Sequence, residues 1–251
     1  MNTLQFYFSI LSIFTIYKSK AFNTDELFTC KLICIGNENY GGYCLCETTR
    51  LVDQSAVVYS FGIGEDISFD EGLIISYNIS VYGFDPTPRS IEFVAKKNNP
   101  NFIFTPKALC KEDKKIQLYP PVNTEHVSHN QIRRDGIDPI EVDCLSLTNA
   151  SNIWNHKKID ILKVDIEGEE LNIFSDANFF VNMPKFDQLL IEVHPFDNLK
   201  VNKLFENIGN AGYILVHRHN NDYSFKKGYI ENIIDQEGRL TKVQKHCYNI
   251  I

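Results

Sequence analysis

Charged side chains stand at the ends of two apolar runs in this 251-residue sequence. The run IDILKV contains Lys163 and is followed by Asp165 and Glu167, and the run QLLIEV contains Glu192 and is followed by His194. Residues two apart lie on the same side of an extended chain, so each set can converge. Taken alone, each set is more simply a structural network of lysine, carboxylates and helix-terminal acids. Two such sets at one edge of a sheet favour a functional site.

A glycine-containing loop, Phe61-Gly62-Ile63-Gly64-Glu65-Asp66, follows another apolar run, SAVVYSF. Glycine permits a tight turn there and lets the backbone approach a ligand closely. Asp85 ends the next apolar run, 21 residues after Gly64. A carboxylate at this position can accept hydrogen bonds from both hydroxyls of a ribose, which suits either NAD or S-adenosylmethionine (SAM).

The composition of the loop separates these two cofactors. NAD requires a pyrophosphate bound at a helix N-terminus, and the usual G-x-G-x-x-G/A pattern fails here because Ile67 stands at its last position. Glu65 and Asp66 would repel a pyrophosphate but tolerate the cationic groups of SAM. The loop therefore favours SAM over NAD, with a plain strand-to-helix turn as the alternative.

Short apolar runs alternate with helix-like segments through most of the chain, and no repeat or linker divides them. Continuous apolar strands separated by helices predict an α/β fold, a doubly wound and mostly parallel sheet with helices on both faces. Ligands bind such sheets beyond the carboxyl ends of the strands, where the loop and both charged sets lie. The predicted strands are 55–61, 79–84, 102–104, 115–119, 159–164, 188–193, 213–217 and 223–230, and the predicted helices are 68–77, 87–97, 145–156, 169–174 and 200–212.

The overall composition is that of a globular, acidic protein. Hydrophobic residues make up 43% and charged residues 23%, and 25 Lys and Arg face 32 Asp and Glu, for a formal charge of −7. Broad nucleic-acid binding requires a dense field of basic residues, so no nucleic-acid partner is predicted.

The N-terminus carries a 12-residue apolar run at positions 6–17. Spanning a bilayer takes about 20 residues, so no stable membrane span is predicted. The run has the length of a signal-peptide core, and Ser19-Lys20-Ala21 offers a cleavage site, although no Lys or Arg precedes the run. Residues 1–21 are therefore predicted to be a signal peptide, with a retained anchor or a buried element as alternatives. Glycosylation sequons at Asn78 and Asn149 fit a secreted or lumenal protein.

Seven cysteines follow the predicted signal peptide. Residues 22–50 form a Cys-rich extension with Cys30, Cys34, Cys44 and Cys46, and residues 51–251 form the main domain. In an oxidising compartment this cluster predicts one or two disulfides, with three pairings open. A zinc site is less favoured, because C-x₃-C followed by C-x-C is not a usual ligand spacing. The odd count leaves at least one thiol free or paired between chains.

Four ordered motifs carry a family resemblance. VVYSFGIGEDISFDEGL, VYGFDPTP, ILKVDIEGEELNIF and QLLIEVHPF resemble the FkbM-type branch of class I SAM-dependent methyltransferases. They resemble more closely the animal methyltransferase-like proteins with a YSFG-x-G-x-D-x-SF-(D/E) loop. Gly41-Gly42-Tyr43 is similar to the element that precedes the first strand in those proteins. The resemblance covers about residues 36–230.

The resemblance implies a seven-strand methyltransferase fold, its last strand antiparallel, with SAM as the cofactor at the first loop. Asp85 would take the ribose hydroxyls, and Asp165 would lie under the reacting methyl group. The adenine contacts are unassigned and are expected within 123–134. The methionine part of SAM would be lined by Ser60, Phe61, Gly62, Ile63 and Gly64.

The motifs and the family resemblance together predict an O-methyltransferase that acts on a hydroxyl of a sugar or another small molecule in the secretory pathway. The candidate bases are Asp165 and His194, oriented by Glu192 or Glu167, while Lys163 keeps the carboxylates ionised. Hard oxygen ligands would suit a divalent ion, but the spacing does not demand one and no metal is predicted. The alternative is a secreted binding protein with a catalytically silent methyltransferase fold, since SAM must be imported into the lumen. An NAD-dependent oxidoreductase is disfavoured.

Overall fold

A computed structural model describes residues 27–38, 40–121 and 128–241. The predicted signal peptide at 1–21 and Cys247 lie outside the described residues, so both predictions about them stay open.

The largest element of the fold is a seven-stranded sheet with the strand order β11-β12-β10-β9-β3-β4-β5. Its strands pair in parallel except β12, which runs antiparallel to both β10 and β11. A large, mostly parallel sheet is therefore confirmed. The bounds are β3 (Val58–Phe61), β4 (Val81–Phe84), β5 (Phe102–Thr105), β9 (Lys158–Val164), β10 (Lys185–Glu192), β11 (Tyr213–His219) and β12 (Asp222–Lys227).

Two smaller sheets accompany it. One has the order β14-β13-β1-β2, and the other has the order β6-β8-β7. The sequence predicts one strand over 223–230, but the structure divides this region between β12 and β13. The bounds are β1 (Leu27–Ile35), β2 (Tyr43–Cys46), β6 (Ala108–Cys110), β7 (Lys114–Leu118), β8 (Ile140–Ser146), β13 (Tyr229–Ile234) and β14 (Leu240–Thr241).

Helices connect the strands, and those that border the site begin just beyond strand ends. The predicted helix 68–77 is confirmed as α2, and Pro88 opens α3 after the N-cap Thr87, as the sequence predicts. The predicted helix 145–156 is shorter, because Ser146 still belongs to β8 and caps α4 through its side chain. The bounds are α1 (Thr49–Val52), α2 (Ser68–Tyr77), α3 (Pro88–Ala95), α4 (Leu147–Ile153), α5 (Glu169–Phe174), α6 (Phe179–Asn182) and α7 (Asn198–Asn210).

Alternate residues of the central strands enter two different apolar clusters. This alternation is expected of strands whose two faces are both covered. Val58, Ile161 and Leu190 pack with residues of α1 and α2, and Tyr59, Leu162 and Leu189 pack with residues of α4, α5 and α7. All six of these strand side chains are fully buried. This packing on both faces fixes the positions of the carboxyl ends of β3, β9 and β10 relative to one another.

Three disulfides are present among the described residues. Cys30–Cys46 and Cys34–Cys44 join β1 to β2, so both pairs form within the predicted Cys-rich cluster. Cys110–Cys144, which the sequence does not predict, joins β6 to β8. The buried Gln188 amide of β10 bonds both backbone groups of Cys46, at 2.8 and 2.9 Å. The β1–β2 hairpin is thereby fixed to the large sheet.

Within the described ranges, no helix has both the length and the apolar character needed to cross a membrane.

Candidate active site

A cavity of about 570 Å³ lies at the carboxyl ends of the central strands. Its wall includes Gly62 beyond β3, Asp85 beyond β4, Asp165 beyond β9 and Glu192 at the end of β10. Protein sites for small molecules typically have volumes of about 300–1,000 Å³. The cavity therefore has the size and the position expected for a ligand site in a mostly parallel sheet.

The glycine loop makes its closest approach to the neighbouring chain segment at Gly62. Its φ of +80° lies in the left-handed region, and an added Cβ would lie 1.6 Å from the carbonyl oxygen of Asp165. The Gly62 amide donates to Phe84 at 2.9 Å, and the Asp165 amide donates to Phe61 at 3.0 Å. Only glycine fits here, because both the backbone conformation and the space exclude a side chain. The contact ties the loop to the segment that carries Asp165.

Asp85 organises this loop through its carboxylate. One oxygen accepts hydrogen bonds from the amides of Ile63 and Gly64, at 2.9 and 3.0 Å. The other accepts from the amide and hydroxyl of Thr87, at 2.8 and 2.7 Å. Both oxygens already have two donors, so a ribose hydroxyl has to share or displace one of them. The predicted ribose contact of Asp85 stays a prediction, beside this structural role.

The remaining predicted cofactor residues differ in their access to the cavity. Phe61, Gly62, Ile63 and Gly64 belong to its wall. Phe61 stacks on Phe84 with ring centroids 4.3 Å apart. Ser60 is fully buried in β3 and is not among the described residues that line the cavity, so its contact with the methionine part of SAM stays a prediction.

Lys163 is buried and turned toward the glycine loop. Its Nζ donates to the carbonyl oxygen of Gly62 at 2.8 Å and lies 5.6 Å from the centre of the Tyr43 ring. Its positive charge also acts on Asp70 and Asp222, two carboxylates of the cavity wall. The predicted influence of Lys163 on nearby carboxylates stays a prediction. Its direct contact is to the loop.

The charged sets beyond β9 and β10 do converge. His194 Nε2 lies 3.4 Å from Glu167 Oε2 and 3.8 Å from Glu192 Oε1. Asp165, Glu167 and His194 each offer one polar atom within 4.8 Å of the others. Glu167 has a φ of +56°, a left-handed conformation in which the chain turns into α5. The structure thus brings the four predicted acid–base residues of this edge into one cluster.

Glu170, which the sequence analysis misses, anchors His194. It is fully buried in the first turn of α5, and its Oε1 accepts from the His194 amide at 2.7 Å and lies 3.1 Å from His194 Nδ1. Its Oε2 accepts from the Gly168 amide at 2.8 Å. The sequence places Glu170 at the start of a predicted helix, but nothing in the local pattern indicates its partner His194, which lies 24 residues further along the chain.

The ionisation of the cluster follows from these contacts. Burial alone would lower the pKa of His194, but the hydrogen bond to Glu170 and the charges of Glu170, Glu167 and Glu192 raise it to about 9. Burial and the charge of Asp165 raise the pKa of Glu192 to about 8. His194 is thus a cation at neutral pH and holds its proton more tightly than Glu192 does. The carboxylate form of Glu192, which becomes the major form above a pH of about 8, is the group left to accept a proton.

Two tyrosines of the β1–β2 segment also belong to the cavity wall. Tyr40 and Tyr43 lie within reach of the charge of Asp165, and burial together with that charge raises the pKa of both hydroxyls. The Tyr43 hydroxyl bonds Asp222. Gly41 and Gly42, which the resemblance points to, belong to the same wall.

The cavity wall also contains the apolar residues Phe84, Leu109 and Leu118, together with Asn130 and Gln131. Asn130 and Gln131 fall in the segment expected to contact adenine, but residues 122–127 lie outside the described part of the chain.

Comparison with known proteins gives one family. A search of curated proteins gave no significant match. The family model described as the methyltransferase FkbM domain matches residues 76–215, more than half of the chain. The match includes Asp85, Asp165, Glu192 and His194 and begins after the glycine loop. This chain belongs to the FkbM methyltransferase domain family.

Proposed function

We propose that this protein is a SAM-dependent O-methyltransferase that acts on a hydroxyl of a sugar or another small molecule. The observation that carries the proposal is a single cavity with a glycine loop on one side and an acid–base cluster on the other. Membership of the FkbM family supports methyl transfer. We also propose the doubly wound arrangement, because residues on both faces of the central strands pack against helices.

The cavity fits SAM by shape and by charge. At Gly62 the space that a Cβ would take is already filled by the Asp165 backbone, so the loop can only keep this course with glycine. Asp66, Asp165 and Asp222 line the cavity, and carboxylates favour a ligand with sulfonium and ammonium charges. The apolar wall residues Phe84 and Leu109 suit a flat base. Bound SAM supplies an electrophilic methyl group.

The residues of the chain would then align the acceptor and remove its proton. The acceptor oxygen would take the methyl group from the sulfonium of SAM, and the hydroxyl proton would have to pass to a residue of the chain. We assign this proton to the ionised form of Glu192, which becomes the major form as the pH rises through its pKa of about 8. His194, with its raised pKa, would instead hold Glu167 and Glu192 in place. This reverses the roles that the sequence predicts for these two residues.

We place the reaction in the secretory pathway. Three disulfides among the described residues support an oxidising compartment, and the predicted signal peptide gives a route to it. We keep the predicted division into a signal peptide at 1–21, a Cys-rich extension at 22–50 and a methyltransferase domain at 51–251. The alternative function, a secreted binding protein with a silent methyltransferase fold, would use the same cavity without turnover.

Turnover separates these two functions. Purified protein is incubated with SAM and a panel of glycans and small hydroxylated molecules, and release of S-adenosylhomocysteine is measured. Glu192→Gln should reduce turnover by about 10²–10⁴ while leaving SAM affinity nearly unchanged, because it removes the proton acceptor alone. Glu38→Gln, which removes a carboxylate from the same cavity wall, is the matched control. A parent protein that binds SAM and turns over none of a broad panel would favour the binding protein.

A further inference from the structure

We propose that Asp165, Glu167 and His194 bind one divalent cation of the first transition row, with Mn²⁺ as the reference ion. The role of the ion rests on the proposed function, but its binding does not. Each residue offers one ligand atom, and all three atoms lie within 4.8 Å of one another.

These distances approach those of a coordination shell. Ligand atoms held at about 2.1 Å from a common ion are separated by about 3.0–4.2 Å, depending on the geometry. The 3.4 Å between His194 Nε2 and Glu167 Oε2 falls inside this range. The three ligand atoms now lie within 4.8 Å of one another, and small side-chain rotations bring them to these separations.

The orientation of His194 is that of a metal-binding imidazole. Its Nδ1 lies 3.1 Å from the fully buried carboxylate of Glu170, which also accepts from the His194 amide. A histidine that donates one ring N–H to a carboxylate presents its other nitrogen as a ligand, and such carboxylate–histidine pairs are typical around bound metals. Nε2 faces the carboxylates of Glu167 and Glu192, and an ion that binds there displaces the Nε2 proton.

The surrounding charges favour an ion with more than one positive charge. Asp222 adds a further carboxylate to this end of the cavity, where its charge acts on Glu192. Lys163 is committed to the carbonyl oxygen of Gly62. The mixed imidazole–carboxylate set selects a first-row ion over Mg²⁺ and Ca²⁺, because these two prefer oxygen ligands throughout. Such an ion would polarise the acceptor hydroxyl whose proton Glu192 takes.

Direct binding to the metal-free, full-length protein tests the site. Mn²⁺ is titrated into protein stripped with EDTA, and the resonance of free Mn²⁺ is followed by electron paramagnetic resonance. One Mn²⁺ per chain should bind, and tenfold excess Mg²⁺ or Ca²⁺ should fail to displace it. Glu167→Gln and His194→Gln, each checked for folding by circular dichroism, should weaken binding by about tenfold or more. Glu38→Gln, from the same cavity wall, should change binding by less than about twofold.

Two results would overturn the site: no saturable Mn²⁺ binding by the folded parent, or equal weakening by Glu38→Gln and Glu167→Gln. A parallel titration with SAM in EDTA keeps the two proposals apart. Mn²⁺ binding without SAM binding supports the metal site and refutes the proposed function. SAM binding and turnover in EDTA without any Mn²⁺ binding refute the metal site and leave the proposed function standing.

Discussion

Replacing Gly62 by alanine should damage both the fold and the cofactor site, because the added methyl group meets backbone atoms. Its Cβ would lie 1.6 Å from the Asp165 carbonyl oxygen and 2.6 Å from the carbonyl carbon. Ordinary contact begins at 3.4 Å, so one of the two segments has to move by about 1.8 Å. Alanine at φ +80° also carries the left-handed penalty of about 1–2 kcal/mol.

Gly238→Ala is a matched control for this substitution. Gly238 has nearly the same φ, +81°, but no described atom lies within 4 Å of its added Cβ. Both variants bear the backbone penalty, and only Gly62→Ala bears the collision, which costs about 1–3 kcal/mol more in the free energy of unfolding. Chemical denaturation of parent and variants measures this difference.

The same substitution should weaken SAM binding by more than about tenfold. The displaced loop carries the Ile63 and Gly64 amides away from Asp85 and the Gly62 carbonyl away from Lys163. Calorimetric titration with SAM, at a temperature where both variants are folded, measures the effect. If Gly62→Ala unfolds like Gly238→Ala and binds SAM like the parent, the close approach at Asp165 has no role in the site.

Three further predictions concern other parts of the molecule. Asp85→Ala should weaken SAM binding about ten- to hundredfold in calorimetry, because it removes the acceptor that holds the loop, and unchanged affinity in a folded variant would refute this. Burial raises the pKa of Asp70 from 3.8 to about 6, so its ionisation destabilises the fold at neutral pH and this cost disappears as the pH falls from about 7 to 4. Denaturation at several pH values should therefore show Asp70→Asn gaining about 2 kcal/mol relative to the parent between pH 4 and pH 7. A constant difference would contradict the burial of an ionised carboxyl. Replacing Cys110 and Cys144 together by alanine opens a loop spanning 34 residues and should reduce the free energy of unfolding by about 4 kcal/mol, and equal stability of variant and parent would show that the bridge adds nothing.

The elements with strong local patterns could be predicted from the sequence. The continuous apolar runs that become β9 and β10, the helix α2, and Pro88 at the start of α3 are set by neighbouring residues. Parallel strands bring their carboxyl ends to one edge, so the convergence of Asp165 with Glu192 was also predictable. The family resemblance pointed to the same fold.

The contacts that decide residue roles are long-range and were not predictable. Glu170 anchors His194 across 24 positions, and this contact changes the expected base into a cation. Gln188 binds Cys46 across 142 positions, and no local pattern marks either residue. The hydrogen bonds that Asp85 accepts from the glycine loop and from Thr87 also depend on the course of the backbone, which residue spacing does not specify.

The most direct test of the proposed function compares the binding of SAM and NAD to the purified protein by calorimetry. The cavity carries Asp66 and Asp85 at the glycine loop and Asp165 and Asp222 beyond it. These carboxylates favour a cationic ligand and oppose a pyrophosphate. One SAM should therefore bind per chain, and NAD at millimolar concentration should neither bind nor compete. Saturable NAD binding, or no heat of binding with SAM in a folded protein, would contradict the account.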